Sequence, residues 1–101
     1  MTKKSDKSEL EPQDGFDLIE YPCDFAFKAM CRADPQETAI DYIRALLLPV
    51  LDDGALLNIK SNTSRTGKFE SVTATVHLTD REELEGIYRL IAQSPRVVMT
   101  L

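Results

Sequence analysis

The segment between residues 60 and 68 carries the clearest chemical signal in this sequence. It combines cationic side chains with hydroxyls and holds no acidic residue, in a chain whose formal net charge is −5. The side chains concerned are Lys60, Ser64, Arg65, Thr66 and Lys68. Backbone N–H groups, hydroxyls and a guanidinium fork can together hold an anion. We therefore treat the segment as a candidate loop for binding an anion or a partner, and a solvated hairpin tip is the alternative.

A single histidine limits the catalytic chemistry available to the chain. His77 has the outward phase at the end of a predicted strand, and no second histidine exists to share a metal ion with it. A triad needs a nucleophile, a base and an orienting group, and the sequence offers no such set. We expect His77 to be a solvated or structural side chain, and we predict no catalytic residue, no metal site and no cofactor.

The two cysteines, Cys23 and Cys31, are eight positions apart in one predicted strand. An extended span of that length measures about 26 Å, whereas a disulfide needs Cα atoms closer than about 7 Å. We therefore predict two reduced thiols, as is usual in the cytosol. Cys31 lies next to Arg32 at the end of the strand, which makes it the better candidate for a reactive thiol.

Acidic residues cluster at two places, Asp52-Asp53 and the group Glu82, Glu83 and Glu85. The first pair falls in a predicted turn. The second group falls at the start of a predicted helix, where carboxylates complement the helix dipole. Catalytic carboxylates need a walled cleft that shifts their pKa values. We interpret both clusters as structural.

The hydrophobic pattern predicts the elements that must position these residues. Alternation with a period of two predicts strands near residues 24–31, 55–60, 68–78 and 96–101, and helical spacing predicts helices between them. Each strand has one strongly apolar face, and crossovers are right-handed. This order favours an α+β fold, a ferredoxin-like βαββαβ sandwich. Its four-stranded antiparallel sheet would have the strand order 4-1-3-2, with two helices on one face.

Local signals predict where the helices begin and end and which side chains are buried. Asp34 is the expected N-cap of the first helix, Pro49 should end or bend it, and Thr79 has capping-box spacing to Glu82 for the second. Ser94 and Pro95 should end the second helix. The side chains expected to face inward are Phe25, Phe27, Ala39, Ile40, Ile43, Leu46, Leu47, Val50, Leu57, Ile59, Val72, Ala74, Val76, Leu78, Leu84, Ile87, Tyr88, Ile91, Val97, Met99 and Leu101.

The face of the sheet without helices is a second candidate surface. By strand phase it presents Lys28, Phe69, Thr73 and Val98. RNA-binding modules of this fold class place stacking aromatics on the two central strands, and Lys28 stands where one would be needed. The face is therefore better suited to a protein partner or to self-association, and nucleic acid is not expected as a partner.

The charge of the chain is unevenly distributed. Residues 1–20 hold three lysines and six acidic residues, whereas the other 81 residues hold nine basic and eleven acidic ones. Residues 1–15 contain few large apolar side chains, so we predict a disordered acidic and polar tail there and a single domain over residues 16–101. The sequence shows neither a secretory signal nor an apolar run long enough to span a membrane, which predicts a cytoplasmic protein without a membrane partner.

Several stretches of the sequence resemble one known family. They are Leu18–Phe25, Phe27–Met30, Ser64–Val72, Ile87–Leu90 and Val97–Leu101. Their order and spacing are similar to those of the YbeD-like family of small bacterial proteins, over residues 16–101. The resemblance implies a fold like that of the ACT regulatory domain and a function that is uncharacterised.

Two function hypotheses follow from these features. The first is a small non-enzymatic regulatory or protein-interaction domain, because the chain lacks a catalytic set and carries a basic, polar hairpin. The alternative is an ACT-like sensor of a small ligand, an amino acid or an anion, that acts as a dimer. The second hypothesis rests on fold analogy alone.

Overall fold

Four strands and two α-helices follow one another in the predicted order in a computed structural model that describes residues 19–100. The elements are β1 (Cys23–Arg32), α1 (Ala39–Leu47), a 3₁₀ turn (Leu48–Val50), β2 (Leu56–Thr63), β3 (Phe69–Leu78), α2 (Arg81–Ala92) and β4 (Val97–Thr100). The predicted tail over residues 1–15 and the predicted domain boundary at residue 16 lie outside the described residues. Both stay predictions.

The sheet has the strand order β2-β3-β1-β4, with every neighbouring pair antiparallel. This is the predicted order, and it confirms the ferredoxin-like sandwich. Both helices pack on one side of the sheet, where they contact each other and the strands. The buried core between the layers consists of Phe27, Ala29, Cys31, Ala39, Ile43, Leu47, Val72, Ala74, Val76, Leu78, Leu84, Ile87 and Ile91.

The first helix begins later than the sequence predicts. Its N-cap is Thr38, whose hydroxyl accepts from the N–H of Asp41 at 3.1 Å. The carboxylate of Asp34 instead accepts from the N–H of Gln36 at 2.8 Å, two residues on. Asp34 therefore closes a local turn before the helix, because aspartate can satisfy a nearby backbone N–H in a turn as readily as at an N-cap.

The second helix also begins one residue later than predicted. Asp80 is its N-cap and accepts from the N–H of Glu83 at 2.9 Å. The Glu83 carboxylate reaches back to the N–H of Thr79 at 2.7 Å and to its hydroxyl at 2.9 Å. The arrangement is a variant of the capping box, because Asp80 caps Glu83 while the Glu83 carboxylate bonds Thr79, the residue before the N-cap, and not Asp80 itself. The helix ends at Ala92, before Ser94 and Pro95, as predicted.

Pro49 ends the first α-helix, as predicted, and the chain continues as a 3₁₀ turn. Proline has no N–H to donate and its ring disfavours a further α-helical turn. The expectation that Val50 faces inward is wrong, because the tighter 3₁₀ turn rotates it outward and leaves it 58% exposed. Leu48, the first residue of the 3₁₀ turn, is 52% exposed.

A bulge in β2 makes the expectation for Leu57 wrong. Leu56 pairs with Val76, and Asn58 pairs with the adjacent β3 residue, Thr75. Leu57, between Leu56 and Asn58, therefore has no partner on β3 and is the extra residue of the bulge. Leu56 and Ile59 pack against the core, whereas Leu57 is 49% exposed. A bulge reverses the alternation of side chains, which periodicity alone does not reveal.

A second irregularity reverses the predicted phase of β4. Met99 pairs with outward-facing Met30, and Thr100 pairs with buried Ala29. Val97 pairs with Cys31, so Val98 is the extra residue. Met99 therefore faces away from the helices, contrary to expectation, and Leu101 lies outside the described residues.

No helix within residues 19–100 combines the length and the apolar character needed to cross a membrane.

Alanine substitutions of Leu47 and Leu57 test the assignment of inner and outer leucines. Leu47 is fully buried, so Leu47→Ala is expected to lower the free energy of unfolding by about 2–5 kcal/mol. Leu57→Ala is expected to change it by less than about 0.5 kcal/mol. Urea denaturation followed by circular dichroism measures both. A loss at Leu57 comparable to that at Leu47 would contradict the bulge.

Candidate functional site

The open face of the sheet, which is the side opposite the helices, has a lysine pair at its centre. Thr73 on β3 is the cross-strand neighbour of Lys28 on β1 and also of Lys60 on β2. Both lysines are exposed and Thr73 is half-buried between them. The structure thus brings two predicted sheet-face residues together and adds Lys60, which the sequence analysis placed at the end of the second strand and in the candidate loop.

The next row on the open face is partly apolar. Asn62, Ser71, Met30 and Met99 are successive cross-strand neighbours across all four strands. Met99 is 49% exposed, and Val98 beside it is 42% exposed. Cationic groups and thioether side chains therefore lie within one or two strand spacings of each other on this face.

Asp24 is the one acidic side chain on the open face among the described strand residues. It lies at the far end of the sheet, opposite His77, and its Oδ1 is 2.8 Å from Nδ1 of that histidine. The pair is exposed at 58% and 48% for the two side chains, so His77 has the surface position expected for it. The lysines at the centre of the face thus have no carboxylate opposite them in the strand register.

The turn between β2 and β3 is organised by Ser64. Its N–H donates to the carbonyl of Phe69 at 2.8 Å, its hydroxyl accepts from the N–H of Phe69 at 3.1 Å, and its carbonyl accepts from Gly67 at 3.0 Å. Gly67 has a φ of +78°, a conformation that favours glycine. Ser64 is therefore a turn-forming residue, while Arg65, Thr66 and Lys68 are exposed at the tip.

The predicted five-residue anion loop is divided by the fold. Strand β2 extends to Thr63, farther than predicted, and this places Lys60 in the middle of the strand. Arg65, Thr66 and Lys68 remain at the turn, and the predicted residue Phe69 lies at the adjoining start of β3. Phe69 pairs with Arg32, a cationic residue at the end of β1. Arg32 is a site residue that sequence reasoning missed, although its place at the end of a strand was visible.

A cleft of about 620 Å³ lies between this turn and the loop that follows β1. The N–H of Ala33 donates to the carbonyl of Lys68 at 2.9 Å and joins its two sides. Its walls include Arg32, Lys68 and Phe69, with Glu70 at the inner side. Asp34 also lines it, so the cleft combines two cations and an aromatic ring with two carboxylates.

A largely buried ion pair lies behind the cleft. Arg96 is 10% exposed and Glu70 is 18% exposed, and Nη2 of the arginine is 3.6 Å from Oε1 of the glutamate. Nε of Arg96 donates to the carbonyl of Arg32 at 2.7 Å, and Nη1 donates to the carbonyl of Thr38 at 3.5 Å. Glu70 Oε1 also accepts from the N–H of Ala39 at 2.8 Å, at the first turn of α1. The pair therefore connects β1, β3, α1 and the start of β4.

The aromatic ring of Tyr42 completes this buried group. The guanidinium of Arg96 lies over it, 5.3 Å from the ring centroid, in a cation–π arrangement. The Tyr42 hydroxyl is hydrogen-bonded to the hydroxyl of buried Ser94. Glu70 has the inward phase of β3, on the same side as Val72 and Ala74. A carboxylate at an inward position was a sequence signal for a buried charge partner, and the sequence analysis did not use it.

Both cysteines are free, as predicted, but the expectation that Cys31 is the better candidate for a reactive thiol is wrong. Its side chain is completely buried. Burial raises the pKa of the Cys31 thiol above its ordinary value; Arg96 opposes that rise and Glu70 adds to it. Neighbouring Arg32 extends outward and donates to the carbonyl of Pro95 at 3.1 Å, so it does not activate the thiol.

No group of three or more histidine, cysteine and acidic side chains lies close enough to hold a metal ion in residues 19–100. The predicted absence of metal and cofactor stays a prediction.

The sequence of this chain is similar to those of one family of proteins. Residues 17–101 match the family described as "Protein of unknown function (DUF493)". A UPF0250 protein of Janthinobacterium is 38% identical over 93% of this chain and 99% of its own. A UPF0250 protein of Nitrosomonas europaea is 35% identical over 83% of this chain and 94% of its own. These matches confirm the YbeD-like resemblance.

A solved structure has the same fold. The solution structure of protein HP0495 from H. pylori matches with a TM-score of 0.66 and 21% sequence identity. The match covers 93% of this chain and 97% of that one. At that identity the likeness concerns the fold alone.

Substitutions at Glu70 and Glu37 test the buried ion pair. Glu70→Ala leaves the Arg96 guanidinium without its buried partner and the Ala39 N–H without an acceptor. We expect it to lower the free energy of unfolding by about 1–3 kcal/mol. Glu37 also faces Arg96, at 3.9 Å, but is 47% exposed, so Glu37→Ala is expected to cost less than about 0.5 kcal/mol. Chemical denaturation of both variants measures the difference, and equal losses would contradict the assignment.

Proposed function

The chain belongs to the DUF493 family, whose function is unknown, and we propose that this member is a non-enzymatic domain that binds an acidic segment of a protein partner. The binding surface is the open sheet face. The observation that carries the proposal is the row Lys60, Thr73 and Lys28, with Met30 and Met99 in the next row. The relatives found by comparison carry names that assign no activity.

The chemistry of the partner follows from the mixture of groups on this face. An exposed ion pair contributes only about 0–1 kcal/mol, so charge alone makes a weak complex. Burial of apolar surface adds roughly 25 cal/mol for each Å². Met30, Met99 and Val98 offer such surface beside the lysines. An acidic segment that also carries apolar side chains would use both contributions.

Nucleic acid is a poorer match to the same face. RNA-binding modules of this architecture stack bases on aromatic residues of the two central strands. Here the corresponding centre holds Lys28 and Thr73. Phe69 is the aromatic residue of the open face in the described strands, and it lies at the end of β3.

A second copy of the chain is also a poorer match. A face-to-face pair would bring the lysines of one open face against those of the other, and like charges opposite each other are unfavourable. Asp24, the acidic residue of the open face in the described strands, is already hydrogen-bonded to His77. A partner with negative charge of its own avoids this repulsion.

We place the domain in the cytoplasm as part of the same proposal. Its support is the presence of two free cysteines, Cys23 and Cys31, in a small domain. Reduced thiols are usual in that compartment, whereas small secreted domains use disulfides.

Charge reversal on the open face tests the proposal. The full chain carrying Lys28→Glu and Lys60→Glu presents like charges to an acidic partner. We expect its Kd for a synthetic peptide of alternating glutamate and leucine to rise about tenfold or more, which is about 1.4 kcal/mol. Fluorescence anisotropy measures the affinity, and wild-type binding should weaken as the salt concentration rises.

Matched single variants distinguish a local effect from a change of net charge. Lys60→Glu should weaken binding, whereas Arg89→Glu, the same reversal on exposed helix surface, should not. Equal weakening by both variants would contradict the proposal. So would tighter binding of a single-stranded oligonucleotide than of the acidic peptide.

A small-ligand sensor that acts as a dimer is the second candidate function. The cleft of about 620 Å³ beside Arg32, Lys68 and Phe69 favours it. Cationic side chains beside an aromatic ring suit a small anionic or zwitterionic molecule, and amino acids and nucleotides belong to these classes.

Thermal unfolding with small ligands tests this second function. A ligand at about one hundred times its Kd adds about 2.7 kcal/mol of apparent stability. We expect the shift to disappear in Lys68→Ala and to persist in Lys60→Ala, whose side chain lies outside the cleft. No shift with amino acids, nucleotides or inorganic phosphate would remove this candidate.

A further inference from the structure

A separate surface, on the helical side, exposes apolar residues that the core does not use. It begins where Pro49 ends the first helix. Val50 is 58% exposed in the 3₁₀ turn, and Leu57 is 49% exposed in the β2 bulge. Monomeric proteins seldom leave contiguous large apolar side chains exposed without a binding role.

Two adjoining clefts make this surface concave. The first, of about 300 Å³, lies between the 3₁₀ turn and α2 and is lined by Val50, Leu51, Ile87 and Leu90 among others. The second, of about 270 Å³, continues past Leu57. Both clefts share Leu51 and Glu83. Together they form the groove referred to below as the α2 groove.

Gly86 forms part of the wall of the α2 groove. It is exposed, and a Cβ added there would meet no atom within 4 Å. A glycine inside a helix is about 0.8–1.0 kcal/mol less favourable than alanine. Sterics within the free domain do not require the glycine, but its missing side chain leaves room for another backbone to approach α2 closely.

The charges around the α2 groove are acidic. Asp52, Asp53 and Glu83 line it, and within residues 19–100 no lysine or arginine is among the lining residues. His77 is the basic group at its margin, and it is engaged with Asp24. An occupant that places cations against this rim and apolar side chains on Leu51 and Leu90 would satisfy both features.

We propose that the α2 groove binds a basic amphipathic helix of a partner protein. Such a helix lays its apolar stripe into a hydrophobic groove, with anchors at helical spacing, while its lysines or arginines face the acidic rim. A second copy of this chain is a worse occupant, because its own helices bury their apolar stripes and carry acids such as Glu82 and Asp41 outward. The proposal concerns a different surface from the open sheet face and does not depend on it.

The test uses the full chain and a defined probe. The probe is a synthetic peptide with leucine at positions i, i+3, i+4 and i+7 and lysine elsewhere. We expect it to bind the ¹⁵N-labelled chain and to shift the amide signals of Leu51, Gly86 and Leu90. Gly86→Leu adds a side chain to the wall of the groove, where its Cβ would meet no atom within 4 Å, and should raise the Kd about tenfold or more. A peptide with glutamate in place of lysine should not bind.

Ala92→Leu is the matched control, since it adds a leucine at an exposed position in the last turn of the same helix. It should bind the peptide as the wild type does, and thermal unfolding should show both variants folded. Wild-type affinity in Gly86→Leu would overturn the proposal, as would amide shifts centred on Lys28 and Thr73. A dimer that Gly86→Leu dissociates in sedimentation would assign the groove to a second copy instead.

Discussion

The buried pair of Arg96 and Glu70 is the interaction on which the relative positions of the elements depend. A guanidinium that is nine-tenths buried is tolerable only with a charge partner and hydrogen-bond acceptors, because burial removes its hydration. Those partners come from three other places in the chain: Glu70 on β3, the carbonyl of Arg32 at the end of β1, and the carbonyl of Thr38 before α1. Glu70 in turn accepts from Ala39 at the first turn of α1. The loop between β1 and α1, which forms one wall of the cleft, is therefore hydrogen-bonded to this pair at both of its ends.

The second constraint is that the sheet buries only the face that carries the helices, and this separates basic from acidic side chains on the surface. Within residues 19–100 the buried apolar side chains lie between the sheet and the helices, so most polar strand residues face the open side, with Glu70 as an exception. On that face the register aligns Lys28 and Lys60. The carboxylates of Asp52, Asp53 and Glu83 gather instead beside α2. A formal net charge of −5 thus conceals a cationic centre of the open sheet face and an anionic groove beside α2.

Both edge strands contain an irregularity, and both irregularities expose apolar side chains. The extra residue is Leu57 in β2 and Val98 in β4. Bulges at edges interrupt the ladder and discourage unwanted pairing with other chains. Each bulge also exposes to solvent a residue that strict alternation would bury. Leu57 thereby becomes part of the α2 groove, and Met99 joins the open face.

The sequence by itself determined the order of the elements, the antiparallel sheet and most of the core, because alternation, helical spacing and proline act locally. It also predicted the family and the candidate residues Lys28, Thr73 and Lys68. Tertiary structure alone decided three further features. Lys60 lies within β2, on the other side of Thr73 from Lys28. Arg32 lines the cleft with Lys68, and Glu70 forms the ion pair with Arg96. These outcomes depend on strand register and bulges, which join residues distant in sequence. A pattern with a period of two cannot report them, because a shift of one residue reverses every side chain that follows.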